Sequence, residues 1–182
     1  MQKLVYFLPG HGGHISNGLG QELSRRGYEV VGRETVGDFK NLEFKEQIGI
    51  IAEDLQTNFF NEKSRIIANS YGAYLLLSAL VLLKPFIGKI LLLSPIVGEF
   101  SNEDIQLGFI PPYAKKILEL ASNGKYPLPL NCEIHVGSED WQSNPQNVLV
   151  LAKLIQATVT VVPDKGHNLS KKYVAAILDR WL

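Results

Sequence analysis

The stretch Arg65-Ile66-Ile67-Ala68-Asn69-Ser70-Tyr71-Gly72-Ala73 decides the fold, and an apolar run from 74 to 83 follows it directly. A β-branched pair, then a serine between small residues, then a helix-forming run predicts a strand, a sharp turn and a helix. A turn of this kind holds a serine hydroxyl clear of the backbone at the carboxyl end of a strand. Ser70 is therefore a candidate nucleophile, and the alternative for a serine at this place is that it only caps the helix.

The turn follows the usual pattern Gly-x-Ser-x-Gly with one departure, because Ala68 stands in place of the first glycine. Small residues on both sides of the serine let the helix and the strand approach closely. The N-terminus of the helix also brings a partial positive charge and free N–H groups to the place where an oxyanion forms. A serine hydroxyl is a poor nucleophile until a base takes its proton, so a nucleophilic role requires a base elsewhere in the chain.

Composition limits the classes of function. The 182 residues fit one domain, and 18 basic side chains balance 18 acidic ones. This balance argues against a nucleic acid or an anionic membrane as partner. Cys132 is the single cysteine, so no intrachain disulfide forms and a cytoplasmic setting is expected. We also expect no signal peptide before the first strand and no membrane helix, since the longest apolar run is shorter than the ~20 residues required.

Strand and helix patterns alternate along the chain. Strands are predicted at 3–8, 28–32, 65–68, 89–93, 132–137 and 158–162. Helices are predicted at about 16–26, 44–60 and 71–84, and from about 144 and 170 onward. The alternation predicts an α/β protein, a three-layer α/β/α sandwich around a mostly parallel six-stranded sheet. Residues 95–131 interrupt the alternation, so we expect a small lid or crossover insertion within a single domain spanning 1–182.

Three chemically matched side chains follow strands of this predicted sheet. Ser70, Asp140 and His167 come after the third, fifth and sixth strands, and ligands of such sheets bind beyond the carboxyl ends of the strands. His167 can take the proton of Ser70, while Asp140 orients the imidazole and stabilises its charged form. Glu139 and Asp164 are the alternatives for the acid.

A glycine-rich loop follows the first strand and supplies the remaining part of the predicted site. An acyl-transfer intermediate needs two N–H donors, and the backbone amides of His11 and Tyr71 are the candidates. Glycines at 10, 12 and 13 allow the backbone to approach a substrate. The predicted substrate-binding residues are Gly12, Trp141, Phe109 and Tyr113. Such a lining favours a small, uncharged or apolar acyl group.

Four motifs together resemble the α/β-hydrolase superfamily. They are Leu8-Pro9-Gly10-His11-Gly12-Gly13, Ala68-Asn69-Ser70-Tyr71-Gly72, Gly137-Ser138-Glu139-Asp140 and Gly166-His167-Asn168. The short chain is similar to the compact serine hydrolases of that superfamily, the group that includes retinoblastoma-binding protein 9. The resemblance implies a six-stranded core without the first antiparallel strands, and esterase-like hydrolysis. The departures are Ala68 and the Pro9-Gly10 pair, and neither removes a catalytic group.

The function that these observations predict is a serine hydrolase. It would cleave a carboxylic ester, or a thioester or amide, of a small substrate through an acyl-Ser70 intermediate, with no cofactor and no metal. The alternative is a hydrolase-like module that binds a protein partner through the apolar residues Phe109, Ile110 and Tyr113 of the lid.

Two further alternatives have less support. The glycine-rich loop could cradle a dinucleotide with Glu34 on the ribose, but Ile15 stands where that fingerprint needs a third small residue. His11 and His14 could suggest a metal site, but no carboxylate lies beside them at ligand spacing.

Overall fold

The computed structural model describes residues 3–182, and its centre is a six-stranded parallel sheet. The strands are β1 Lys3–Leu8, β2 Tyr28–Gly32, β3 Arg65–Asn69, β4 Lys89–Leu93, β5 Phe100–Asn102, β6 Leu107–Phe109, β7 Asn131–Gly137 and β8 Thr158–Val162. The sheet has the order β2-β1-β3-β4-β7-β8, and every neighbouring pair in it is parallel. The predicted α/β fold with its six-stranded sheet is confirmed.

Helices cover both faces of the sheet. They are α1 Leu19–Arg25, α2 Gly37–Asn41, α3 Phe44–Asp54, α4 Tyr71–Leu80, α5 Lys116–Ser122, α6 Pro145–Leu154 and α7 Lys171–Trp181. One apolar cluster joins α1 and α7 to side chains such as Ile67 and Leu91, while the larger cluster joins α3, α4 and α6 to neighbours such as Ile66 and Leu92. Successive strand residues thus point to opposite helix layers. No helix within residues 3–182 is long and apolar enough to cross a membrane.

The helix α4 begins close against the end of β1, and Gly72 makes this approach possible. Every side chain of α4 from Ala73 to Leu80 is buried. A Cβ atom added at Gly72 would lie 2.3 Å from the carbonyl oxygens of both Leu8 and Pro9. The turn before α4 can therefore sit against the end of β1 only with glycine at this position.

Replacing Gly72 by alanine is expected to destabilise the fold by about 3 kcal/mol, because rigid backbone must move to admit the methyl group. Urea unfolding measures this as a lower midpoint. The matched control is Gly49→Ala in α3, where an added Cβ meets nothing within 4 Å, so its midpoint should stay the same or rise. A Gly72→Ala protein with the wild-type midpoint would contradict the close approach.

Three predicted helices differ from the structure at their ends. The first begins at Leu19 rather than at 16, because Gly18 has φ 50° and stands outside the helix. The third ends at Leu80 rather than at 84, where the chain turns and Leu82 becomes exposed. The predicted helix 44–60 is α3 followed by a π-helical turn, Leu55–Phe59. Its apolar face is buried or partly buried throughout, so side-chain spacing alone could not reveal the changed hydrogen bonding.

The insertion holds more structure than its sequence predicts. The antiparallel pair β5–β6 forms a small separate hairpin, and the helix α5 follows it within the insertion. Strands of three residues are too short to show a recognisable alternation of side chains. The hairpin brings Phe100 and Phe109 together, with ring centroids 5.6 Å apart.

Candidate active site

Ser70 occupies the turn between β3 and α4 in a backbone conformation that few non-glycine residues adopt. Its φ is 52° and its ψ is −120°. The Ser70 N–H donates to the carbonyl of Leu93, and the Ser70 carbonyl accepts from the N–H of Ile96 at 3.1 Å. These hydrogen bonds to the neighbouring strand region hold the strained turn in place. The side chain of Ser70 does not cap α4, so helix capping does not explain this serine.

His167 meets the serine from the loop after β8. Its Nε2 lies 2.8 Å from Ser70 Oγ, and its Nδ1 lies 2.9 and 3.0 Å from the two carboxylate oxygens of Asp140. An ionised carboxylate only accepts hydrogen bonds, so Nδ1 carries the proton that is donated to Asp140. Nε2 of the neutral ring is then free to accept the proton of the Ser70 hydroxyl.

Asp140 is fully buried in the turn after β7. Its Oδ1 accepts hydrogen bonds from the N–H groups of Gln142 at 3.1 Å and Ser143 at 2.9 Å. Burial opposes ionisation of this carboxyl, but the hydrogen bonds from His167 and from the Ser143 N–H outweigh it and lower the pKa of Asp140 below its ordinary value. The carboxylate therefore stays charged at neutral pH, as the orientation of an imidazolium requires.

The two alternative acids lie elsewhere. Glu139 and Asp164 are both exposed, and within residues 3–182 neither carboxylate makes a hydrogen bond to His167. The N–H of Asp164 instead donates to the hydroxyl of Ser138 at 3.0 Å. The structure thus brings Asp140, and neither alternative, to the imidazole.

Sequence reasoning missed Ser143. This buried serine donates its N–H to Asp140, and its Oγ lies 3.4 Å from His167 Nδ1. The hydrogen bond from the Ser143 N–H holds the Asp140 carboxylate beside the imidazole of His167. A signal for it existed, because an aspartate side chain commonly accepts N–H groups two and three residues later in a turn.

The glycine-rich loop is held by Thr35, which sequence reasoning also missed. The N–H of Gly12 donates to the Thr35 carbonyl at 3.2 Å, and the N–H of Gly13 donates to the Thr35 hydroxyl at 3.0 Å. The Thr35 hydroxyl in turn donates to the carbonyl of Gly10. Within residues 3–182 the N–H groups of His11 and Tyr71 have no such acceptor. These two amides remain available for an oxyanion.

Glu34 braces the same loop. Its carboxylate accepts the N–H of Ile15 at 3.1 Å and lies 3.1 Å from Nδ1 of His14. Both oxygens are thus engaged by the loop, which weakens the dinucleotide alternative. In the part of the chain that the structure describes, no group of three or more His, Cys, Asp or Glu side chains could hold a metal ion.

A cavity of about 390 Å³ opens beside the two free amides. His11 and Tyr71 line it together with Phe109 of the insertion, and the rings of Tyr71 and Phe109 lie 5.7 Å apart. Trp141 does not line this cavity but packs on Phe100, with ring centroids 5.6 Å apart.

The structure therefore divides the predicted substrate-binding residues. Phe109 lies at the cavity and Gly12 lies in the loop beside it. Tyr113 packs on Phe44 at 5.9 Å between ring centroids and lines an adjacent cavity instead. The insertion contributes Phe109, Ile110 and Pro112 to the cavity lining. That Tyr113 is aromatic did not show whether its side chain lines the cavity or is exposed.

Solved structures share this arrangement of sheet and helices. The lipase-esterase related protein from Clostridium acetobutylicum ATCC 824 superposes with a TM-score of 0.69 at 14% identity, over 99% of this chain and 94% of that one. Alpha/beta hydrolase domain-containing protein 10 from mouse gives 0.65 at 13% identity, over 96% and 86% of the two chains. The chain has the α/β-hydrolase fold. The ydeN gene product from B. subtilis gives 0.65 at 15% identity, over 98% of both chains.

The α/β-hydrolase resemblance inferred from the motifs is thereby confirmed at the level of the fold. No protein-family model and no curated protein sequence matches the chain. The closer similarity to the retinoblastoma-binding protein 9 group stays a prediction. In an α/β-hydrolase fold the loops after the third, fifth and sixth principal strands reach one edge of the sheet, which accounts for the meeting of Ser70, Asp140 and His167.

Proposed function

We propose that the protein is a serine hydrolase that cleaves a carboxylic ester, or a thioester or amide, through an acyl-Ser70 intermediate. The observation that carries this proposal is the continuous chain of hydrogen bonds from Ser70 Oγ to His167 Nε2 at 2.8 Å and from Nδ1 to Asp140 at 2.9 Å. The α/β-hydrolase fold and its esterase-related structural neighbours support a hydrolase.

The reaction runs in two halves. Ser70 Oγ attacks the carbonyl carbon while its proton passes to His167 Nε2, and the N–H groups of His11 and Tyr71 stabilise the resulting oxyanion. The intermediate collapses, the bond to the leaving group breaks, and His167 gives its proton to the departing oxygen, sulfur or nitrogen. Water then attacks the acyl-serine with His167 again as base, which releases the acid and restores the Ser70 hydroxyl.

The cavity beside the oxyanion amides indicates the acyl group. Apolar residues such as Leu75 and Phe109 line the cavity, together with few charged residues such as Lys40. At about 390 Å³ it can hold a short acyl chain. We therefore assign a small, uncharged acyl group to the substrate.

A fluorophosphonate probe tests the proposal, since such probes phosphonylate only activated serines. We expect an adduct on Ser70 in the wild-type protein and none in Ser70→Ala or His167→Ala. The control Ser122→Ala changes an exposed serine at the end of α5 and should label like wild type. Peptide mass analysis locates the adduct. A folded wild-type protein that does not label would contradict the proposal.

A second candidate function is favoured by the exposed apolar residues of the insertion. Ile105, Leu107, Ile110 and Tyr113 are 58%, 48%, 73% and 50% exposed. Clustered exposed side chains of this kind often mark a contact surface for a protein partner. If the folded protein does not label with the probe, protein binding through this surface becomes the favoured function.

A further inference from the structure

A second, larger cavity has one member of the catalytic pair, His167, in its lining. It has a volume of about 660 Å³ and opens between α1 and α7. Its remaining lining includes Leu19, Asn69, Ser94, Leu169 and Leu178. His167 thus lines one cavity, and the two residues that carry the oxyanion amides, His11 and Tyr71, line the other.

The chemistry of the proposed hydrolysis distinguishes these cavities. The carbonyl oxygen must face the N–H groups of His11 and Tyr71, and these two residues line the smaller cavity. The leaving atom must lie within hydrogen-bond distance of His167 Nε2, because that nitrogen returns the proton to it. The cavity lined by His167 is thus in the position to hold the leaving group, and the smaller one the acyl group.

We propose, on the basis of the hydrolase function above, that the α1–α7 cavity binds an alcohol or thiol leaving group that has an apolar body and an anionic end. The walls are largely apolar, contributed by residues such as Leu19, Leu169 and Leu178. Polar residues also line the cavity, namely Asn69 at the end of β3 and Asn168 in the loop after β8. A linking oxygen or sulfur suits these polar neighbours better than a hydrocarbon chain does.

The mouth of the cavity carries the charge that selects an anion. Lys171 and Lys172, in the first turn of α7, are exposed and form no salt bridge within the described residues. The one carboxylate in the lining, that of Glu22, is already neutralised by Arg25 at 2.6 Å and Arg26 at 3.0 Å. The two lysines are therefore left to attract a carboxylate or phosphate at the far end of the leaving group.

Two butyrate esters with nearly equal leaving-group chemistry test this assignment. One is the ester of 3-(4-hydroxyphenyl)propionate, and the other is that of the corresponding uncharged propionamide. At low ionic strength we expect kcat/KM for the anionic ester to exceed that for the neutral one by roughly three- to tenfold, since exposed ion pairs are weak. The double variant Lys171→Gln/Lys172→Gln should lose most of this ratio, as should wild type in 0.5 M salt, where the charges are screened.

The matched control is Lys63→Gln/Lys153→Gln, which removes two exposed lysines that do not line this cavity and should keep the wild-type ratio. Equal hydrolysis of both esters by wild type, or a ratio unchanged in Lys171→Gln/Lys172→Gln, would overturn the assignment and leave the hydrolase function standing. If wild type hydrolyses neither ester and does not label with the fluorophosphonate, the hydrolase function fails and this assignment with it.

Discussion

Replacement of Ser70 by alanine is expected to lower kcat about 10⁶-fold, because the acyl-enzyme cannot form without the hydroxyl. Without that hydroxyl, His167 and Asp140 have no covalent intermediate to form or to hydrolyse. The measurement is turnover of an activated ester of a short acyl group. Ser122→Ala serves as control and should keep the wild-type kcat.

The variant should remain folded, which makes the result interpretable. The hydrogen bonds that hold residue 70 at φ 52° come from its backbone and persist with alanine. Thermal unfolding near the wild-type temperature checks this. Retention of more than about 1% of activity would mean that another nucleophile acts. Ser94 lies near the same sheet edge, but its hydroxyl is buried and no base contacts it within residues 3–182.

The sequence is most informative where function and fold coincide. A strand that is buried on both faces, such as residues 90–93 of β4, shows a continuous apolar run in the sequence. Once the strand order is set, residues just after parallel strands must lie at one edge of the sheet, and this rule predicts that Ser70, Asp140 and His167 are neighbours. Neither inference requires knowledge of how side chains pack.

The sequence is less informative where loops from distant parts of the chain meet. Thr35 and Gly13 are separated by 22 positions and bind each other through both backbone and side chain, and no local pattern marks that contact. The positions of Phe100 and Phe109 depend on the β5–β6 hairpin, whose three-residue strands carry no periodic signal. The composition of an insertion does not show whether an aromatic residue faces the site or the solvent. Only the structure shows that Phe109 lines the cavity and that Tyr113 does not.

Replacement of Asp140 by asparagine is expected to lower kcat/KM by about 10⁴-fold while leaving the geometry almost intact. The asparagine oxygen can still accept the N–H groups of Gln142 and Ser143, so the amide nitrogen is turned toward His167. An amide N–H donates, and His167 Nδ1 must then accept. The proton moves to Nε2, which can no longer take the proton of Ser70.

The competing acids supply the controls for this prediction. Glu139→Gln and Asp164→Asn remove exposed carboxylates that make no hydrogen bond to His167 within the described residues, so both variants should keep kcat/KM within about twofold of wild type. Urea unfolding of Asp140→Asn shows whether the variant is still folded. If it is folded and its kcat/KM is about 10⁴-fold lower, the loss comes from the wrong tautomer of His167 and not from lower stability. A large loss in Glu139→Gln or Asp164→Asn, with Asp140→Asn near wild type, would instead show that the acid has been misassigned and that the loop after β7 or β8 rearranges when substrate binds.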